Sequence, residues 1–431
     1  MSSFLQDLSR VGLSKVFIVL SGLGTSIITA RYLGPDANGI IAGLLVYPSI
    51  FMTLSSLGIR QSTTYFLGKE IYSEDQIKTA ITQIWMFTTV FSIVVSFILI
   101  RYFSQSGGNL YWVILALLPI PFSLFNTYNS GIFLGKNDIK TFNTINWIPS
   151  LIIFLGTAGL VMALNFHIAG AMIAAIGGPL FMFFVLLFKN NFIQAFSFQY
   201  DWKIIKEMLS LGVIYAVTLL VINLNYKVDI ILLDKLSTPF ETGIYAKGSG
   251  ITQYLWQIPM LFSTIVFARS AVSKNDREFS YKVAQLLRIS FVLIGLASVV
   301  LLLFSEIIIV GMYGEEFRGS IQVLNFLLPG VLILTIYKVM NMDLAGKGKP
   351  WVALKAMLPA LLLNIVLNIF FIPKYGANGA AISSTISYSI AGVLFLFFYS
   401  KAAQLSVKEI IYYKKSDFDP VKNVIYKFMK K

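Results

Sequence analysis

Four cations and one carboxylate stand in stretches of this sequence that are otherwise apolar: Arg60, Lys227, Lys247, Lys338 and Asp229. Leu211 to Leu233 is long enough to cross a bilayer, which takes about 20 residues of helix. Its outer half nevertheless carries Asn223, Asn225, Tyr226, Lys227 and Asp229. Charge at membrane depth is costly unless it faces protein, water or an opposite charge. A single-span anchor has no use for it, whereas a transport path does. A cation here can be presented to an anionic substrate. Hard oxygen ligands such as Asp229 and Asn225, one helical turn apart, suit Na+, and a buried carboxylate can instead take up a proton. A structural ion pair with Lys227 or Lys338 across helices is the competing role for Asp229, with equal weight. Lys227 is two residues from Asp229, so the two do not face each other on one helix.

The chain that positions these groups has 431 residues, of which 57% are hydrophobic and 13% charged. Soluble domains carry about 25% charged residues, and the mean hydropathy here is +0.76. Twelve apolar spans are expected at 11–32, 40–66, 79–103, 110–134, 143–164, 168–188, 209–233, 243–268, 283–304, 321–344, 352–372 and 376–399. Val11 to Ala30 reads as a full span rather than a cleavable signal. The absence of Cys excludes disulfide and thiol chemistry, and a single His excludes a multi-histidine metal site. The net charge of +14 reads as loop charge at an anionic leaflet and not as a nucleic-acid footprint. Of the 34 basic residues, 26 fall at the termini and in alternate loops, and six on the other side. That asymmetry places both termini on the cytoplasmic face.

The chain is duplicated. Pro35 and Gly39 recur as Pro239 and Gly243 at an offset of 204, and Pro119 and Pro149 as Pro329 and Pro359 at 210. Gly135-Lys136 recurs as Gly346-Lys347 at 211, and Ala169–Ile173 as Asn378–Ile382 at 209. Six spans per half is an even number, so the repeats are parallel. The fold class expected is an all-α polytopic membrane protein, two parallel six-helix repeats around a central cleft. The lobes are residues 1–200 and 201–400, with a basic cytoplasmic tail at 401–431. Tyr200 to Met208 reads as a helix lying on the inner leaflet, and the tail as surface helices or a disordered basic segment.

Polar residues in the spans follow helical spacing. Ser49, Thr53, Ser56, Arg60 and Thr63 form one stripe; Ser249, Gln253, Gln257 and Thr264 form its counterpart. The same offset maps Asn225 and Asp229 onto Ser21 and Thr25. Ser and Thr alone are more readily helix–helix glue. Gln253, Gln257, Arg60, Asn225 and Asp229 are assigned to the cleft. Trp256 reads as core packing, and Asp343 as an interfacial group near the inner end of its span.

Tyr32-Leu33-Gly34-Pro35, the run Leu57 to Lys69 and the run Ile372 to Ala381 resemble the Wzx-type polysaccharide flippases of the multidrug/oligosaccharidyl-lipid/polysaccharide exporter superfamily. The resemblance covers nearly the whole chain. It implies a plasma-membrane flippase that moves a polyprenyl-diphosphate-linked oligosaccharide by alternating access for cell-surface polysaccharide such as O-antigen. Glycosyltransferases or a polysaccharide polymerase are the partners it implies. The substrate path would then include Arg60, Lys227, Lys338, Lys247, Gln253 and Gln257, with Asp229, Asn225 and Thr25 coupling transport to Na+ or H+. No catalytic motif appears, so the chain is not expected to be an enzyme, and no cofactor is expected. An ion-coupled multidrug antiporter is the alternative, disfavoured because the spans hold more cations than carboxylates. A non-transporting scaffold gains nothing from buried charge.

Overall fold

A computed structural model describes residues 2–136, 138–195, 200–257, 259–260, 266–267, 269–270, 273 and 275–418. Among them there is no strand. In chain order the helices are α1 (Ser2–Ser55), α2 (Ile59–Gly68), α3 (Glu74–Phe103), α4 (Leu110–Leu117), α5 (Pro119–Gly135), α6 (Ile139–Asn146), α7 (Ile148–Thr157), α8 (His167–Lys189), α9 (Trp202–Leu236), α10 (Pro239–Tyr254), α11 (Asp276–Leu303), α12 (Ser305–Tyr313), α13 (Ser320–Gly346), α14 (Val352–Ala403) and α15 (Val407–Ile411).

Nine helical segments among the described residues are long and apolar enough to cross a membrane. Two of them, Ser14–Gly68 with 55 residues and Val352–Ala403 with 52, are each long enough for two crossings. Each turns at a glycine. In α1 the turn is Gly34, at φ 73° and ψ 179°. That left-handed φ is open to glycine at little cost, and Pro35 then starts the next helix where its missing N–H is not needed. In α14 the turn is Gly376, at φ 52°. These turns separate the expected spans 11–32 from 40–66 and 352–372 from 376–399. The expected span 243–268 begins in α10, and most of its second half lies outside the described residues. The twelve-span reading therefore stands.

The duplication is also written in the backbone. Gly376 matches His167 at the offset of 209, and His167 holds φ 46°. A non-glycine residue in the left-handed region is uncommon, so the two repeats share a turn where their sequences differ.

The chain packs as two compact units, Met1–Lys247 with Met312–Phe317, and Gly248–Gly311 with Arg318–Lys431. In the first, one cluster joins Leu44, Ile100, Val113, Ile120 and Leu124. A second joins Ile77, Ile81, Phe125, Tyr128, Phe192 and Met208. The duplicated turns meet here reciprocally. A Cβ placed on Gly39 would lie 1.7 Å from the Pro239 carbonyl oxygen, and one on Gly243 would lie 2.0 Å from that of Pro35. Two backbones touch where no side chain fits, the close approach that small residues allow in membranes. In the second unit α13 and α14 approach in the same manner. A Cβ on Gly330 would meet the Thr385 Cα at 2.6 Å, and one on Gly392 the Ile333 carbonyl at 2.6 Å.

The repeated Gly-Lys pair has one task in both units. Lys136 Nζ lies 2.5 Å from Glu74 Oε2, at the start of α3. Lys347 Nζ donates to the Asp276 carbonyl at 2.9 Å, at the start of α11. Each lysine ties the end of one span to the beginning of another within its unit.

Two expectations change. Tyr200 to Met208 is not a separate surface helix: from Trp202 it forms the first turns of the 35-residue α9. Asp201 caps it by accepting from the Lys203 and Ile204 N–H groups, and Ile204, Ile205 and Met208 are buried in the core of the unit. Its amphipathic pattern faces protein. The tail, as far as Phe418, is a strap held on α11, described further below; Val424, Ile425 and Phe428 lie outside the described residues.

Gly39→Ala and Gly243→Ala should each lower the thermal midpoint of the purified protein, at a cost of about 1–3 kcal/mol from overpacking. Gly311→Ala, with nothing within 4 Å of the added carbon, should leave it unchanged or raise it. Differential scanning fluorimetry in detergent reads the contrast, and a loss at Gly311 equal to that at Gly39 would contradict it.

Candidate functional site

Six of the expected site residues lie in the first compact unit: Thr25, Arg60, Asn225, Lys227, Asp229 and Lys247. Gln253, Gln257 and Lys338 lie in the second. Each set is described within its own unit.

Arg60 sits on a break that the sequence reading missed. The span expected at 40–66 is not one helix. It stops at Ser55, passes through Leu57 at φ 46° and Gly58 at φ 62°, and restarts as α2. The break is pinned to α9, since a Cβ on Gly58 would lie 2.4 Å from the Gly212 carbonyl and one on Gly212 would lie 2.0 Å from that of Leu57. Arg60 is exposed in the first turn of α2, and no side chain caps that turn. The positive end of the helix dipole adds to the guanidinium charge there. The Leu57-Gly58 pair was the available signal, but a glycine inside an apolar run usually marks only close packing.

Three hydroxyls of the stripe bond to their own helix. Ser49 donates to the Val46 carbonyl, Thr53 to that of Ser49 and Ser56 to that of Thr53. Thr25 likewise donates to the Ser21 carbonyl at 2.9 Å. Inter-helix bonds are made by neighbours instead: Ser92 donates to Ser55 Oγ at 2.7 Å, and Ser62 to the Met208 carbonyl at 2.7 Å.

On α9, Asn225 and Asp229 are both fully buried. The Tyr245 hydroxyl, from α10, donates to Asp229 Oδ2 at 2.9 Å. The carboxylate is thus addressed by a neutral donor across two helices. Lys227, half-buried on the same helix, has no hydrogen-bond or ion-pair partner among the described residues.

Lys247 is buried and satisfied by neutral oxygens. Its ammonium donates to the Ser26 carbonyl at 3.0 Å, Ser26 Oγ at 3.2 Å and Thr29 Oγ1 at 2.9 Å. It also lies 5.4 Å from the Tyr313 ring centroid. The Tyr313 hydroxyl accepts from Ser26 at 3.2 Å, and Arg31 holds the preceding Met312 carbonyl at 2.9 Å. Lys247 therefore joins α10 to the outer part of α1.

In the second unit Lys338 lies over the Trp256 ring at 4.4 Å. Trp256 is buried and donates its indole N–H to the Val331 carbonyl at 3.2 Å, which bears out core packing. Gln253 is exposed and Gln257 half-buried; Thr264, matched to Arg60 by the repeat, lies outside the described residues.

Asp343 is not interfacial. It is fully buried and accepts at 2.6 Å from each of Ser270, Ser280 and Tyr399. Lys347 completes the set at 2.9 Å. Lys347 is one helical turn from Asp343, whereas the three hydroxyls arrive from far along the chain. No group of three His, Asp or Glu able to hold a metal occurs among the described residues.

A family model described as "Polysaccharide biosynthesis protein" matches residues 28–322. The chain is 23% identical over 393 residues to a putative O-antigen transporter of Shigella flexneri, covering 86% of this chain and 92% of that protein. It is 21% identical over 406 residues to a probable low-salt glycan biosynthesis flippase of Haloferax volcanii, covering 90% and 82%. The fold superposes on a lipid II flippase, MurJ, in an inward closed conformation, with a TM-score of 0.77 and 17% identity, covering 93% of this chain and 89% of that one.

Two buried lysines should respond oppositely to loss of charge. Lys347→Met strands the buried Asp343 carboxylate, and breaking a buried pair costs about 3–5 kcal/mol. Lys247→Met strands no charge, so the thermal midpoint should change by less than about 1 kcal/mol equivalent. A large loss at Lys247 together with none at Lys347 would reverse the assignment.

Proposed function

The chain belongs to the polysaccharide biosynthesis protein family, and we propose that it is a flippase for a lipid-linked oligosaccharide. The cargo is a polyprenyl-diphosphate-linked sugar repeat unit, carried from the inner to the outer leaflet by alternating access for cell-surface polysaccharide assembly. Residues 1–200 and 201–400 are its two six-helix lobes in this reading. The protein lies in the plasma membrane with both termini cytoplasmic, and glycosyltransferases or a polymerase supply and consume the cargo. It acts as a transporter and not as an enzyme. The named activities of the relatives support the cargo class.

The observation that carries the reading is the pairing state of the charges. Lys227 has no carboxylate partner among the described residues, and Arg60 sits exposed at an uncapped helix start inside a span. An uncompensated cation in a membrane path favours an anionic cargo; a path for cationic drugs calls for carboxylates. Asp229, fully buried beside Asn225, is the residue we assign to ion coupling. Taking up Na+ or a proton neutralises it and lowers the cost of enclosing it.

The test is translocation in proteoliposomes, read by protection of a polyprenyl-diphosphate oligosaccharide from an external lectin or hydrolase. The protein should scramble this lipid, and Arg60→Gln, Lys227→Gln and Lys338→Gln should include at least one variant that inserts normally but transports at least about tenfold more slowly. Imposed Na+ or pH gradients should drive accumulation, and Asp229→Asn should abolish that dependence while leaving downhill exchange. Normal transport by all three glutamine variants would refute the cationic path. Rescue of a poorly expressed Asp229→Asn by neutralising Lys227 or Lys338 would make Asp229 a structural partner.

A further inference from the structure

Arg277, Gln285 and Arg288 of α11 fix the strap formed by residues 404–418. Arg288 is 2% exposed, and its Nε and Nη2 pair with the two Asp417 oxygens at 2.7 and 2.8 Å. Its Nη1 donates to the Glu409 and Ile410 carbonyls at 3.0 and 2.9 Å. Burial pushes the Asp417 carboxyl up, but the Arg288 guanidinium and the Lys414 N–H outweigh it and hold it below the usual carboxylate range. The clasp is therefore ionised at neutral pH, and its contribution is lost only as pH falls through that lowered value. Farther along, Arg277 donates to the Gln404 carbonyl at 3.0 Å and to Glu409 at 2.8 Å. Ser406 and Glu409 close a capping box at the start of α15.

The inner side of the strap is thus explained by protein contacts, and the outer side is not. It exposes Ile411 and Tyr412 at 49% and 59%. Lys401 and Lys408 are exposed around them, while Tyr413 donates its hydroxyl to the Arg288 carbonyl at 3.4 Å and the Lys414 ammonium lies 5.2 Å from the Tyr281 ring of α11. Aliphatic, tyrosine and lysine side chains together form the composition that sits at a membrane–water boundary. The position agrees, because the strap begins directly after Ala403, the last residue of α14. The chain beyond it carries Lys422, Lys427, Lys430 and Lys431 against the single carboxylate side chain of Asp419, so its balance is basic.

We propose that the outer face of the strap binds anionic phospholipid headgroups, with Lys401 and Lys408 meeting the phosphates and Ile411 and Tyr412 entering the boundary layer. Lipid charge then helps to hold residues 404–418 against α11. The inference concerns a different surface from the proposed substrate path and does not need a cargo to be tested.

The experiment is hydrogen exchange on the full chain in nanodiscs of phosphatidylglycerol or of phosphatidylcholine. Nanodiscs present one lipid on both faces, so membrane orientation does not enter, and no transport is read. A lysine near an anionic surface is worth roughly fivefold in affinity, so amides of 404–418 should be at least about tenfold more protected in phosphatidylglycerol. High salt should erase the difference, because surface attraction is screened within about 3 Å at 1 M. The variant carrying Lys401→Gln and Lys408→Gln should show phosphatidylcholine-like protection in both discs. Equal protection of the native chain in the two lipids, or lipid dependence that survives in the double variant, overturns the proposal.

Discussion

The crossing of the two duplicated turns constrains the first compact unit more than any other contact. Gly39 meets the Pro239 carbonyl and Gly243 meets that of Pro35. The exchange is symmetric, as a two-fold relation between repeats requires. Its consequence is local and geometric: α10 starts against the second helix of α1, so residues a turn or two beyond come within reach of the first. Lys247, one turn past Gly243, reaches Ser26 and Thr29. At the position that matches Lys247, Gly43 makes room for Asp234, whose Oδ1 would lie 2.5 Å from an added Cβ. The repeat geometry is kept while its chemistry diverges, with a cation at one copy and a carboxylate facing the other.

The charged side chains follow two patterns. The Asp343–Lys347 and Arg288–Asp417 groups are closed networks in which the charged atoms meet opposite charge and hydrogen bonds. Such networks hold helices in place and leave nothing for a ligand. Arg60 and Lys227 lack that closure, and Lys247 is solvated by neutral oxygens alone. Removing a closed network's partner destabilises the fold, and it is from the second pattern that the proposed path takes its cations.

The architecture was legible because its signals are periodic or repeated. Apolar length marks spans, offsets of 204 to 211 mark the duplication, and Gly34 before Pro35 marks a turn. The Gly-Lys landmark proved to be a clamp, a role that needs the partner Glu74 or Asp276 and is not visible in the pair itself. What was not legible depends on contacts distant in sequence. The break at Leu57-Gly58 is stabilised by Gly212 across α9. The burial of Asp343 depends on Ser270, Ser280 and Tyr399. The inner-leaflet reading of Tyr200 to Met208 failed because an amphipathic pattern does not say whether its apolar face meets lipid or protein. Among site residues, the helical spacing of Asn225 and Asp229 was readable, but Tyr245 as the donor to Asp229 was not.

The central claim is that open cations select a diphosphate cargo. Native mass spectrometry of the detergent-solubilised protein measures this most directly, by competing a polyprenyl-diphosphate sugar against the same sugar on a neutral lipid and against a lipophilic cation. The account predicts retention of the diphosphate lipid, weakening as ionic strength rises, and poor retention of the other two. Tighter binding of the lipophilic cation, or equal binding of the neutral lipid, would contradict it.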